Sequence, residues 1–340
     1  MHYDNVKFLN NGFFDRINEH KTYVLDSNVV IKLRDLFYNP QKMSIEEINY
    51  YIGLLEYFRD KDVLPGPAMQ ELSWNFEHYE LDQVKYIRLA DALDTLFSYD
   101  YFTISRIKAQ SKYVSDTKPV KGSRKSFKNL SLNIEANLYL LPSLCIMLKY
   151  HQVVKKYNDN RSRYIEICNF SMNELKLIGA YELTLITELL FSSSDTKTNM
   201  IKNMLKIDGS DNYLRQVWNS CWDIFFLRYI TAAAANTLSF NSYKNIYNPV
   251  LVTRDKNLFT IGNMVQNNKD VVINRQVLPG ITGSYDYTKD AKELIDEMNQ
   301  NMLRTSEERL KAFDNMNHNQ RISHWRRIIQ ELEEDLCKRC

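Results

Sequence analysis

Glycine and proline are scarce in this chain of 340 residues, at nine and seven, and no stretch of it is both long and uniformly apolar. The first shortage leaves few points where the backbone must break. With twenty-two tyrosines and sixteen phenylalanines to pack, it predicts a mainly helical protein around a small sheet. The second argues against a membrane span. The longest apolar stretch, residues 138–148 (LYLLPSLCIML), contains Pro142 and Ser143 and is well short of the roughly 20 residues a span needs. The opening residues, MHYDNVKFLNNGFFDRINEHK, carry charges every few positions and lack the apolar core of a signal peptide. Neither a membrane partner nor secretion is expected.

An excess of one charge is also missing. Forty-four basic and forty-two acidic residues leave a formal net charge of +2, so no global field draws the protein onto nucleic acid. Any such site must be a local patch. The five cysteines (Cys145, Cys168, Cys221, Cys337, Cys340) are odd in number and scattered, which suits reduced thiols in a cytoplasm better than a disulfide framework. Cys337 and Cys340 have CxxC spacing but no second ligand pair for zinc. Phosphate-loop and HExxH patterns do not occur, so nucleotide-triphosphate and zinc-hydrolase chemistry have no support.

Thr22–Leu25 is a short apolar, β-branched run and predicts a buried strand. Helical spacing follows over Asn28–Phe37, and Ser44 with Glu47 forms a capping-box pattern opening a second helix through Phe58. Asp62–Pro65 reads as a second strand, and Gly66-Pro67 opens a further helix. Strand, helix, helix, strand, helix is the order of a parallel sheet in an α/β protein. Residues 80–210 read as almost wholly helical, with breaks near 113–129 and 157–163. Pro249–Thr253 is then a third strand and Asp270–Ile273 a fourth, with Leu278-Pro-Gly-Ile-Thr-Gly283 as a turn after it. From 288 the chain is helical and charged. Ile322, Trp325, Ile329, Leu332 and Leu336 form an a/d seam there. Two heptads are too few for a coiled coil, so packing on its own domain is the expected use and a homodimer contact the alternative.

Four carboxylates fall at ends of these elements or in apolar surroundings: Asp26, Glu71, Asp223 and Asp255. Asp26 closes the first strand and Asp255 stands two residues past the third. In open α/β sheets ligands collect outside the carboxyl ends of the strands, so these two share a crevice if their strands are neighbours. Glu71 follows Gly66-Pro67, and Asp223 sits within NSCWDIFFLRYI. Each has a plainer role available: Asp26 and Asp255 as caps of the helices that follow, and Asp223 in a capping box with Ser220. Acids held within about 5 Å repel by about 3 kcal/mol per pair at an effective dielectric near 20. A hard cation such as Mg²⁺ or Mn²⁺ relieves that repulsion, and can activate water against a phosphodiester.

The ordered set YVLDSNVVI, PGPAMQEL, WDIFFLRYI and LVTRDKNLF resembles the PIN domain family. That pattern has an aspartate after the first strand, a glutamate at the next helix, a helical aspartate, and a strand followed by a T-x-D turn. The resemblance implies a three-layer α/β/α fold with a small central parallel sheet, here elaborated by many helices, and a Mg²⁺- or Mn²⁺-dependent endoribonuclease. By motif position Asp26, Glu71, Asp223 and Asp255 would be catalytic metal ligands. Asn28 would orient Asp26 or a metal-bound water, and Thr253 would hydrogen-bond near Asp255. The implied catalytic domain covers 22–80 and 212–280, with a helical insertion at 81–211 and a helical extension at 288–340. The separation of Glu71 from Asp223 is far longer than in compact members of the family, which leaves Asp211 and Asp208 as alternatives for the third acid. A flap-type DNA nuclease and an inactive binding module are the rival readings. A toxin with an antitoxin-like inhibitor protein, a defence nuclease and a processing enzyme are all compatible roles.

An RNA substrate needs a basic surface. Lys118, Lys121, Arg124, Lys125 and Lys128 lie in KPVKGSRKSFK with no acidic residue, and such a loop can follow a phosphate backbone while Phe127 or Tyr113 stacks on a base. An ordinary solvated loop is the alternative. A second cluster, Lys155, Lys156, Arg161 and Arg163, is interrupted by Asp159.

Overall fold

The computed structural model describes residues 6–10, 20–75, 78, 80–99, 137–205, 213–234, 246, 248–264, 266–273, 276–282 and 287–338. The described chain is mostly helical with a small mixed four-stranded sheet. Contacts divide it into two compact units, residues 1–133 with 229–259, and 134–228 with 260–340. The stretches 22–80 and 212–280 expected to form one catalytic domain draw on both units.

In the first unit the sheet joins β1 (Lys7–Asn10), β2 (Thr22–Leu25), β3 (Asp62–Leu64) and β6 (Val250–Thr253) in the order β1-β6-β2-β3. Strand β2 is parallel to β3, with Tyr23 opposite Val63, and parallel to β6, with Val24 opposite Leu251. All four residues of β6 and three of the four in β2 are buried. Burial of consecutive residues, rather than alternate ones, is what a strand covered on both faces requires. Burying each of Leu25 and Leu251 contributes about 2 kcal/mol.

The central sheet differs from the expected all-parallel one in two strands. Its fourth member is β1, antiparallel to β6. KFLN is short and lacks β-branched residues, so it carries little local strand signal. The expected fourth strand lies within β7 (Gln266–Ile273), which pairs instead with β8 (Gln276–Thr282) in a separate hairpin. The segment read as a turn is therefore mostly strand. A second small hairpin, β4 (Trp74–Asn75) with β5 (Glu80–Leu81), follows the third helix.

Helices of the same unit are α1 (Ser27–Tyr38), α2 (Ile45–Phe58), α3 (Gly66–Ser73) and α4 (Gln83–Ser98). The capping box of α2 is formed: Ser44 Oγ accepts from Glu47 N at 3.2 Å and Glu47 Oε2 accepts from Ser44 N at 3.4 Å. Helix α1 buries Val29, Val30, Leu33 and Leu36, and packs against β6, α3 and α4. Helix α3 also packs on β2. Both helices are thereby fixed beside the carboxyl end of β2.

The second unit holds α5 (Asn137–Lys156), α6 (Asn160–Asn173), α7 (Ala180–Phe191), α8 (Asp195–Leu205), most of α9 (Tyr213–Ala234), the β7–β8 hairpin, α11 (Lys289–Arg304), α12 (Ser306–Asp314) and α13 (His318–Lys338). The short α10 (Lys256–Met264) crosses the boundary. The seam of α13 lies on α5, with Trp325, Ile329, Leu332 and Leu336 buried there, so α5 of the same chain covers the face a dimer would use.

Pro142 lies inside α5, where it has no N–H for the helix ladder. In the same turn the Tyr139 carbonyl accepts from Ser143 Oγ at 3.0 Å and Arg228 Nη1 at 3.3 Å. Arg228 also donates to both carboxylate oxygens of the fully buried Glu182, at 2.5 and 2.7 Å, and Ser143 donates to that carboxylate too. Glu188 is likewise buried and accepts from Tyr287 and Lys197. Arg163, from the second basic cluster, donates to the carbonyls of Tyr157 at 2.9 Å and Val154 at 3.4 Å, so it closes the end of α5. Cys145, Cys168 and Cys221 are buried free thiols. Among the described residues no helix is long and apolar enough to cross a membrane.

Candidate functional site

Asp26 is where β2 becomes α1. Its backbone N–H donates to Val252 O at 3.0 Å, extending the pairing with β6 by one residue, and its carbonyl accepts from Val29 and Val30 to start the helix. One carboxylate oxygen, Oδ1, accepts from Ser27 N at 2.6 Å and caps α1. Capping accounts for that oxygen alone. The other, Oδ2, accepts from Thr253 Oγ1 at 2.5 Å and Asn28 Nδ2 at 2.5 Å.

These contacts join the ends of two parallel strands. Asn28 Oδ1 accepts from Arg254 N at 2.9 Å, and Thr253 Oγ1 accepts from Asp255 N at 2.9 Å. Asp255 Oδ1 accepts from Asn257 N at 2.7 Å and Leu258 N at 3.0 Å, which starts the next helix. Asp255 is therefore a capping residue as well, through one oxygen.

The electrostatics follow from burial. Asp26 is 2% exposed and Thr253 is fully buried. Loss of water pushes the Asp26 carboxyl up to about 6; the hydrogen bonds from Thr253 and Ser27 oppose this, and the negative charge of Asp255 adds to it. Arg254, between the two acidic-site residues in sequence, does not pair with either aspartate. Its guanidinium lies 5.9 Å from the ring centre of Tyr51, a buried phenol that burial pushes up to about 12. The pair Asp26 and Asp255 thus keeps its mutual repulsion.

Glu71 lies in the second turn of α3, with Oε2 buried. Asp223 lies within α9 in the second unit, well inside a helix that begins at Tyr213. The capping box read at Ser220 is not formed, because Ser220 Oγ donates back to the carbonyls of Gln216 and Met204. Asp208 and Asp211 lie outside the described residues, as do Lys118, Lys121, Arg124, Lys125, Lys128, Tyr113 and Phe127. Among the described residues no group of three or more His, Cys, Asp or Glu is arranged to hold a metal ion.

Nothing in three comparisons matches: no family model, no curated protein and no solved structure. What the site can do is therefore argued from its own atoms. Asp26 and Asp255 offer carboxylate oxygens, the donor type that Mg²⁺ and Mn²⁺ prefer, and Mg²⁺ commonly takes only one or two carboxylates and completes its shell with water and substrate phosphate. The pair fits such an ion in donor chemistry. Arg254 was not singled out from sequence. Its place inside the T-x-D turn is the signal, and its backbone N–H there meets Asn28 Oδ1.

Proposed function

We propose that the protein is a Mg²⁺- or Mn²⁺-dependent endoribonuclease of PIN-like type, with the helical layers and the central sheet in the family's α/β/α arrangement. One observation carries this reading. A buried carboxylate at the end of β2 is held by Thr253 and Asn28 and repelled by Asp255, at the strand ends where α/β proteins bind ligands. Holding ionised Asp26 there without a cation is unfavourable, and a cation is what the pair is suited to receive.

Asp26 and Asp255 would hold the ion, with Glu71 of the same unit as the further acid of the PIN pattern. The bound ion would supply an activated water and neutralise charge on the scissile phosphate. The chain's own part is positional. Thr253 and Asn28 fix the Asp26 carboxylate in one orientation, and the caps of α1 and α10 fix the backbone on which both acids stand. Pre-set ligands spend no reorganisation during the reaction. The buried thiols suit a reducing, cytoplasmic setting.

The absence of a three-residue ligand group among the described residues favours a second reading, a PIN-like module that binds RNA or protein without cutting. Hydrolysis of RNA, single-stranded DNA and flap DNA in Mn²⁺, by wild type and Asp26→Asn, separates the readings. RNA cleavage abolished by chelator and by the substitution is the expected result. Cleavage that survives either one removes the metal mechanism, preference for flap DNA moves the protein to the DNA nucleases, and no cleavage by wild type leaves the binding module.

A further inference from the structure

The first unit contains a groove of about 440 Å³ whose lining includes Arg34 and Tyr38 of α1, Leu72 of α3, and Lys85, Arg88 and Leu89 of α4. Among the described residues three cations and no carboxylate line it. We propose that this groove is a nucleotide subsite, binding the phosphate and base of an RNA residue that flanks the cleaved bond. The choice of RNA rests on the nuclease reading; the recognition of a nucleotide phosphate rests on the groove.

The charges favour an anion unequally. Arg34 is held at 2.9 Å by its neighbour Asp35, and Lys85 stands 3.3 Å from Asp82, the cap of its own helix. Arg88 is exposed and its guanidinium makes no ion pair among the described residues. Asp91, near Tyr38 on the α4 side, is not among the described residues that line the groove. Arg88 is thus the principal donor, because a guanidinium binds phosphate through paired hydrogen bonds, and Arg34 of α1 adds charge to the same lining.

The walls provide for a base. Tyr38 is 45% exposed, unusually open for a ring of its size, yet its position is fixed because its hydroxyl donates to Arg88 O at 3.0 Å. An exposed ring held in place beside cations is the arrangement that stacks a base while its phosphate is held. Leu72 and Leu89 supply apolar lining. The volume is within the range of small-ligand pockets, about 300 to 1,000 Å³.

The groove also connects to the acidic site along one rigid element. Asp26 caps α1 and Arg34 stands eight residues along it, a rise of about 12 Å. Leu72 is the neighbour of Glu71 on α3. A strand lying in the groove would run toward the carboxylates without leaving this unit.

The test uses the full chain in chelator, so that binding is read without cleavage. The probes are adenosine 5′-monophosphate, adenosine, inorganic phosphate and a short single-stranded oligoribonucleotide. Expected results are that the monophosphate and the oligonucleotide bind, adenosine binds more weakly, and Arg88→Gln weakens both phosphate-bearing ligands about tenfold. Arg88→Gln also lowers the salt slope of oligonucleotide binding by about 0.7, the value for one lost contact on a single strand. Arg88→Lys recovers part of the loss, and Tyr38→Ala weakens the nucleotides but not inorganic phosphate. Equal binding of adenosine and its monophosphate overturns the proposal, as does an unchanged salt slope in Arg88→Gln. Binding of the monophosphate alone, with none of the oligonucleotide, overturns the flanking-residue role. Cleavage assays in Mn²⁺ keep the two readings apart: intact cleavage with no effect of Arg88→Gln rejects the groove and leaves the nuclease, while groove binding without cleavage rejects the nuclease alone.

Discussion

Thr253, the last residue of β6, donates a 2.5 Å hydrogen bond to Asp26, the residue that follows β2. The two are far apart in sequence and adjacent only because β2 and β6 pair in parallel with Leu25 opposite Val252. A hydroxyl and a carboxylate buried together must satisfy one another, since water cannot.

Replacing Thr253 with valine keeps the shape and removes the donor. The Asp26 carboxylate then has one donor fewer and takes up a proton more readily. Mn²⁺ affinity should fall about tenfold or more, the usual effect of losing a group that supports a metal ligand, and Thr253→Ser should restore most of it. Calorimetric Mn²⁺ titration of the three proteins reads this directly. Unchanged affinity in Thr253→Val would show that the contact is structural only.

Asp26 also sets a pH dependence, with a definite sign. Its folded value, about 6, lies above the ordinary 3.8, so protonation favours the fold. The contribution is full below 3.8 and is lost as pH rises through 6. Without metal, the chain should lose about 3 kcal/mol of stability across that window from this group, and Mn²⁺ should restore stability only above pH 6. Urea unfolding from pH 4 to 8 in chelator measures the first and the same series in Mn²⁺ the second. Asp255→Asn should move the midpoint down and Thr253→Val should move it up, because the charge raises and the hydrogen bond lowers the Asp26 value.

In the second unit Arg228 and Glu182 form a two-bond ion pair whose acid is fully buried. Arg228→Met leaves that carboxylate without its main cation, and should destabilise by about 3 to 5 kcal/mol. Glu182→Leu together with Arg228→Met should destabilise less than Arg228→Met alone, since no charge is then stranded. Urea unfolding of the single and double variants decides it. An additive outcome would mean the pair is not coupled.

Cys145, Cys168 and Cys221 are buried, and burial pushes all three thiols up from their usual range. Thiolate is the reactive form, so these three should stay unlabelled by maleimide in native protein at neutral pH and react on unfolding in urea. Mass spectrometry of the labelled peptides assigns each. Rapid native labelling of Cys221 would place a solvent path into that core.

Local pattern by itself determined β2, its end at Asp26, the formed capping box of α2, and the strand and T-x-D turn at Thr253 and Asp255. Each depends on residues a few positions apart, and capping and strand burial act at that range. The apolar seam of α13 was legible for the same reason, though not the helix it would meet. Only the tertiary structure made β1 an edge strand of the described sheet and took β7 from the sheet into a hairpin. It also turned the Asn28 side chain toward the backbone N–H of Arg254, and joined Arg34, Tyr38 and Arg88 around one groove. Those outcomes depend on which distant segments compete for the same partner, and periodicity along a chain carries no record of that competition.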